Sequence, residues 1–418
     1  MTGKIGQFKN FLWPATPRPF QHPVYRRVWF TGICGSLARY VDYTIVAWLL
    51  VQQTESSFEV GLLVFSRWIS YIFLGPWIGS LLDSHSRIKI LRLSQLGMAL
   101  GAGCFGLVVL NDLASTAVIY GYSAVMGFLF MVEIQSKRTY VSKVIGRSFV
   151  SSMIALEMVA LHVGWLIGST LGGGIINFVS PSSAFFMVSF VMFLNVLVLR
   201  RLPSMFSIHR IERQGKLFAS IWQTFVDVRS NKAIWACLLV VGINNFFGYS
   251  FESMAPKFAQ DVYKTGPLGF GMVLAAQGIG TFVMTGYFAL RRKSIKNPGL
   301  WLITATTVQL IGCIGFSFTQ TTLLGVISIV SLGMVSGVFT VTHASIILLT
   351  SSANRWGRVM GFQVVMMGLY PFGSLLLGLT ADTIGLTHAI RLFAVLGLLL
   401  LIVIWFRYKD LRKPIYLA

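Results

Sequence analysis

Charge is scarce in this 418-residue chain. Only 11% of its residues are Asp, Glu, Lys or Arg, where a soluble globular protein carries about 25%. A soluble fold of this length needs more polar surface to face water, so the ordinary cytosolic enzyme is excluded. Acids are the rarest, 13 against 34 Lys and Arg. The resulting net charge of +21 would suit a nucleic-acid binder, but such a protein does not thread its basic residues between long apolar runs. Cysteine is equally thin. Cys34, Cys104, Cys237 and Cys313 each sit alone in an apolar stretch, which leaves neither a disulfide framework nor a zinc site. They read as small hydrophobes.

Catalytic signatures are missing too. No GxxxxGK[ST], HExxH or nucleophile elbow occurs, so neither ATP hydrolysis by a P-loop nor enzyme chemistry is expected. Gly101, Gly103 and Gly106 do spell GxGxxG. No strand precedes them and no acid follows at the required spacing, so they read as packing glycines. Residues 1–27 are polar, basic and proline-rich, without the apolar core of a signal peptide. No cofactor or metal is expected.

What the chain has in excess is apolar length. It is 55% hydrophobic and 14% aromatic, which excludes disorder. A membrane-crossing helix needs about 20 mostly apolar residues. That ruler predicts twelve spans, at 28–51, 59–82, 90–110, 114–135, 149–178, 183–201, 234–255, 268–290, 299–318, 322–349, 358–381 and 386–406. With the N-terminus inside, 29 of the 34 basic residues fall in inward segments. Three (Lys257, Lys264, Arg391) fall outside, and Arg39 and Arg67 lie within spans. Cytoplasmic segments retain Lys and Arg, so both termini are expected in the cytoplasm of a cell with the protein in its inner membrane.

The longest internal polar segment, 202–233, divides the spans six and six. The expected organisation is a cytoplasmic segment 1–27, a six-helix bundle 28–201, the linker 202–233, a second bundle 234–406 and a cytoplasmic tail 407–418. Within the linker, Leu217, Phe218, Ile221, Trp222, Phe225 and Val226 repeat with helical period. That amphipathic helix lies either along the membrane surface or against the protein's own cytoplasmic face. The bundles carry an internal echo. Gly168–Gly173 in span 5 recurs as Gly373–Gly378 in span 11, offset by 205, and Gly127 in span 4 as Gly337 in span 10, offset by 210. A duplicated six-helix unit is a common construction of secondary transporters.

Between spans 2 and 3 the chain reads Gly79-Ser80-Leu81-Leu82-Asp83-Ser84-His85-Ser86-Arg87-Ile88-Lys89. This resembles the loop signature of the major facilitator superfamily, with Ser86 in place of the usual glycine and Ile88 in place of one basic residue. The resemblance implies that Gly79, Asp83, Arg87 and Lys89 form a cytoplasmic gate, Asp83 pairing with Arg87. The alternative is a loop that serves orientation alone. Tyr25-Arg26-Arg27-Val28-Trp29, Leu74-Gly75-Pro76-Trp77-Ile78-Gly79 and Trp356-Gly357-Arg358-Val359-Met360-Gly361 resemble the branch of enterobactin and drug exporters. Gly164, Gly168, Gly172 and Gly173 of span 5 look like the antiporter signature of drug exporters, degraded by Ser169 where a proline belongs. They also make a flat packing face.

Ionisable residues inside spans are costly and mark function. Asp42 in span 1 and Arg67 in span 2 fall at equal depth on antiparallel neighbours, so they form either a structural ion pair or a substrate contact, with Arg39 competing for Asp42. Glu133 in span 4 maps onto His343 in span 10 at the same 210 offset. The two are candidates for substrate binding or proton coupling, unless Glu133 merely pairs with Lys137 one turn on. Glu252, with Asn244 and Asn245 nearby, is a further candidate, followed by Glu157 and, last, His162. The expectation is an all-α membrane protein of twelve helices in two pseudosymmetric six-helix bundles. It would act as a monomeric, proton-coupled exporter of a siderophore or drug-like small molecule, bathed in membrane lipids. An importer in the same fold and a lipid flippase or transport-inactive receptor are the alternatives. A flippase would show a laterally open apolar groove.

Overall fold

The computed structural model describes residues 18–73, 85–145, 150–203, 228–290, 295–350 and 356–413. Among these, every regular element is helical. The helices are α1 (Pro23–Gln53), α2 (Ser57–Phe73), α3 (Arg87–Leu110), α4 (Thr116–Ile145), α5 (Val150–Phe178) and α6 (Pro181–Arg200). The second set is α7 (Lys232–Val262), α8 (Pro267–Leu290), α9 (Pro298–Phe316), α10 (Thr322–Thr350), α11 (Trp356–Met367 and Leu369–Ile384) and α12 (Leu386–Arg407). Ten of them are long and apolar enough to cross a membrane. The remaining two are α1, which carries Arg26, Arg27, Arg39 and Asp42, and α2, with 17 described residues. The expected gate residues Gly79 and Asp83 and the linker's amphipathic segment lie outside the described residues.

Among the described residues two helices are broken, and proline explains both. Proline has no N–H to donate to the carbonyl four residues back. Pro371 therefore releases the carbonyl of Met367, where the first part of α11 ends. Pro256 likewise releases that of Glu252, and α7 passes through 3-10 geometry at Ser250–Met254, flanked by π turns at Asn244–Gly248 and Phe258–Val262. The break carries α7 beyond its expected end at 255. Lys257, expected in an outer loop, instead lies in the helix, buried and paired with Asp261 at 3.1 Å.

The glycine echo is a packing device used twice. A Cβ on Gly168 would stand 2.6 Å from the Leu37 carbonyl oxygen of α1, and Gly373 meets the Phe246 backbone of α7 in the same way. Gly173 abuts Pro267 and Leu268 at the start of α8, and Gly378 abuts Ser57 and Phe58 at the start of α2. Gly127 lies against Arg67 of α2, and Gly337 against Thr281 and Met284 of α8. The contacts between the two sets, α2 with α11 and α5 with α8, follow from these close approaches.

The core is continuous at one end only. Away from the termini, Trp48, Phe105 and Phe185 of the first set share one buried cluster with Phe258, Phe270 and Ile390 of the second. Trp48 stacks on Phe270 across the seam, centroids 5.8 Å apart. At the terminal end each set keeps its own cluster, one around Tyr25, Leu91, Tyr140 and Met153, the other around Ile234, Leu302, Ile346 and Leu401. Among the described residues the two sets share one apolar core at the far end and keep separate cores at the end that bears the termini.

Candidate functional site

Asp42 and Arg67 meet. Arg67 Nη2 donates to Asp42 Oδ2 at 2.6 Å, and the Tyr122 hydroxyl of α4 donates to Oδ1. Tyr122 is held by stacking on Phe105, centroids 4.0 Å apart. The Arg67 guanidinium faces the rings of Tyr43 and Phe130, each 5.4 Å away. Asp42 is fully buried and Arg67 nearly so; both Asp42 oxygens are hydrogen-bonded, while Arg67 Nη1 is buried without a hydrogen-bond partner among the described residues.

Arg39 does not compete for Asp42. Its Nη2 donates to Glu133 Oε2 at 2.8 Å, while Lys137 Nζ donates to Oε1 at 3.1 Å. Lys137 also lies 3.8 Å from Glu157, and Arg138 Nε donates to Glu157 at 2.7 Å. Glu133 therefore pairs with Lys137 one turn on, and with Arg39 as well. It does not meet His343, whose Nδ1–H donates to the Phe339 carbonyl at 2.8 Å within its own helix. His162 makes the same bond to Met158.

Glu252 stands differently. It sits at the Pro256 break in α7 and accepts from Gln277 Nε2 of α8 at 2.7 Å. The same amide donates to Ser336 Oγ of α10 at 3.2 Å. Asn245, expected beside it, bonds instead to the Val241 carbonyl. Among the described residues no cation pairs with Glu252, whereas Asp42, Glu133 and Glu157 each have at least one. Tyr43 of α1 lies within electrostatic reach of both Glu252 and Arg67. Tyr370, beside the α11 break, lies within reach of Glu252, Tyr43 and Tyr40. These groups face one another from both sets, with Trp68 edge-on to Tyr370 and Phe65 edge-on to Phe372.

Three of the antiporter-like glycines of α5, Gly164, Gly168 and Gly172, form a seat for α1, while Gly173 meets α8. A Cβ on Gly164 would stand 2.5 Å from the Ser36 Cβ, and Gly172 lies against Val41 and Thr44. Of the expected gate, Arg87 and Lys89 open α3, with Lys89 exposed. Among the described residues the four cysteines are free, and no group of His, Cys, Asp and Glu is placed to hold a metal. The sequence reading missed Tyr43, Tyr122, Gln277 and Tyr370. Neutral and aromatic groups cost little in a membrane and leave no signal of their own.

Residues 28–369 match the sequence profile of the Major Facilitator Superfamily. The chain belongs to the Major Facilitator Superfamily. Staphyloferrin A transporter of Staphylococcus aureus (strain NCTC 8325 / PS 47) is 18% identical over 382 residues, covering 90% of this chain and 94% of that protein. Two solved structures share the fold. One is a bacterial homologue of the human lysosomal transporter Spinster, inward-facing and unoccupied, with TM-score 0.68, 13% identity and coverage of 95% and 98%. The other is the nucleoside transporter NupG, with TM-score 0.67, 15% identity and coverage of 93% and 100%. The twelve-helix, all-α architecture expected from the sequence is that of this superfamily, and the chain is a multi-pass membrane transporter.

Proposed function

We propose that the chain is a proton-coupled exporter of an amphiphilic small molecule, siderophore-like or drug-like, working by alternating access in the cytoplasmic membrane. The end that bears the termini then faces the cytoplasm, as the distribution of Lys and Arg supports, and the substrate enters there. The likeness to a staphyloferrin A transporter supports the siderophore class.

One observation carries the coupling. Glu252 is a carboxylate between the two sets whose partner is a neutral amide rather than a cation. Gln277 can bond to it in either protonation state, so the group can gain and lose a charge without stranding a counter-ion. Glu133, clamped by Arg39 and Lys137, would strand two. The proline break beside Glu252 gives α7 a hinge at the same point.

The test is accumulation in inverted vesicles under an imposed proton gradient, with staphyloferrin A and the dye ethidium as probes. Glu252→Gln is expected to abolish gradient-driven accumulation and to retain downhill exchange. Accumulation equal to wild type would remove Glu252 from coupling. Movement only toward the cytoplasmic face would reverse the direction.

A further inference from the structure

Below its glycine seat, α5 stays joined to α1 through the Trp29–Leu156 hydrogen bond and the packing of Tyr25 and Val28 with Met153. Gly164, Gly168 and Gly172 touch α1, and the next residues on the same stripe toward the terminal end are Ala160, Glu157 and Met153. There a crevice opens between α1, α5 and α4, with a cavity volume of about 100 Å³ and a mouth open to solvent. Its lining is mostly apolar with a few convergent polar groups, the character of small-molecule sites. Its walls are Val28, Val141, Met153 and Ala160, with the Trp29 ring fixed by donation from Nε1 to the Leu156 carbonyl at 2.9 Å. Gly32 floors it beneath the Lys137 ammonium, 3.4 Å from where a Cβ would stand.

The charged rim is unevenly filled. Lys137 is occupied by Glu133 and Glu157. Arg138 gives Glu157 only its Nε, and among the described residues its two terminal nitrogens have no hydrogen-bond partner. The side chain is 44% exposed. A guanidinium that keeps both terminal nitrogens free presents the planar fork that recognises a carboxylate, sulfonate or phosphate. We propose that this crevice is the cytoplasmic access site for substrate, which it selects as an anionic amphiphile, the apolar body among Val28, Val141 and Met153 and the anion on Arg138. The inference deepens the proposed function and rests on its export direction.

The experiment uses the full-length protein in nanodiscs of zwitterionic phosphatidylcholine, without a proton gradient. The probes are anilinonaphthalene sulfonate and its neutral counterpart N-phenyl-1-naphthylamine, followed by energy transfer from tryptophan. The sulfonate is expected to bind saturably, with Arg138→Gln weakening it about tenfold and leaving the neutral probe unchanged. Trp29→Phe should cut the energy transfer, since Trp29 stands in the wall of the crevice, and Gly32→Leu, which fills the crevice, should abolish binding of both probes. Equal sulfonate affinity in wild type and Arg138→Gln overturns the site, as does equal loss of the neutral probe. Arg138 is surface-accessible, so this arm stands even where Gly32→Leu fails to fold. Displacement of the sulfonate by phosphatidylglycerol in the disc makes the occupant a lipid headgroup and overturns its assignment to substrate. Because binding is read without a gradient, loss of coupled transport in Glu252→Gln leaves this result untouched.

Discussion

Asp42 shows how a membrane carboxylate becomes structural. With Arg67 and Tyr122 both bonded to it, removing one partner leaves a buried charge uncompensated. Arg67→Leu is expected to cost about 3–5 kcal/mol of stability, and the paired change Asp42→Asn with Arg67→Leu to recover most of that. Thermal unfolding in detergent measures both. A double variant no more stable than Arg67→Leu would mean that the arginine acts through something besides its charge. Glu133 was visible in the sequence as a costly residue, but the choice between Lys137 and Arg39 was not, because Arg39 lies 94 positions away and reaches it only through helix packing. Glu252 was equally visible, while its neutral partner Gln277 was not.

Among the elements, α2 and α11 form one of the two main contacts between the sets that must loosen for the far end to open. Asp382 of α11 accepts from the Ser57 and Phe58 amides at 2.6 and 3.1 Å and from Ser56 Oγ at 2.5 Å. A carboxylate thereby caps the first turn of α2 from the other set, where the helix dipole favours negative charge. Losing the cap is worth about 1 kcal/mol, so Asp382→Ala should shift the open-to-closed ratio several-fold. Spin labels at Glu55 and Thr383, both exposed at this end, should report a larger long-distance population in the variant. An unchanged distribution would make Asp382 a cap without gating weight. On α5, Gly164→Ala presses on Ser36 and is expected to destabilise the α1–α5 pair by about 1–3 kcal/mol, read as a lower melting temperature. The glycine echo at offset 205 was legible in sequence because close backbone approach leaves few residues to choose from. The breaks in α7 and α11 went unread beforehand, although Pro256 and Pro371 are the cause.

For the whole molecule, the spans and their pairing into two sets were readable because a bilayer imposes a length and an apolar content on every helix. Which end shares its apolar core was not, since the sets meet only through helix packing. Orientation is testable directly: Thr383→Cys should react with an impermeant thiol reagent on intact cells, and Arg201→Cys only after permeabilisation, in a background lacking the four native cysteines. The reverse pattern would invert the protein and, with it, the direction of transport. The shared apolar core at the far end has a thermal consequence. Opening that end hands Trp48, Phe270 and their neighbours to water, a change with a positive heat capacity. The balance between the two access states is therefore curved in temperature, and cooling, which weakens apolar burial, moves it toward the state open at the far end.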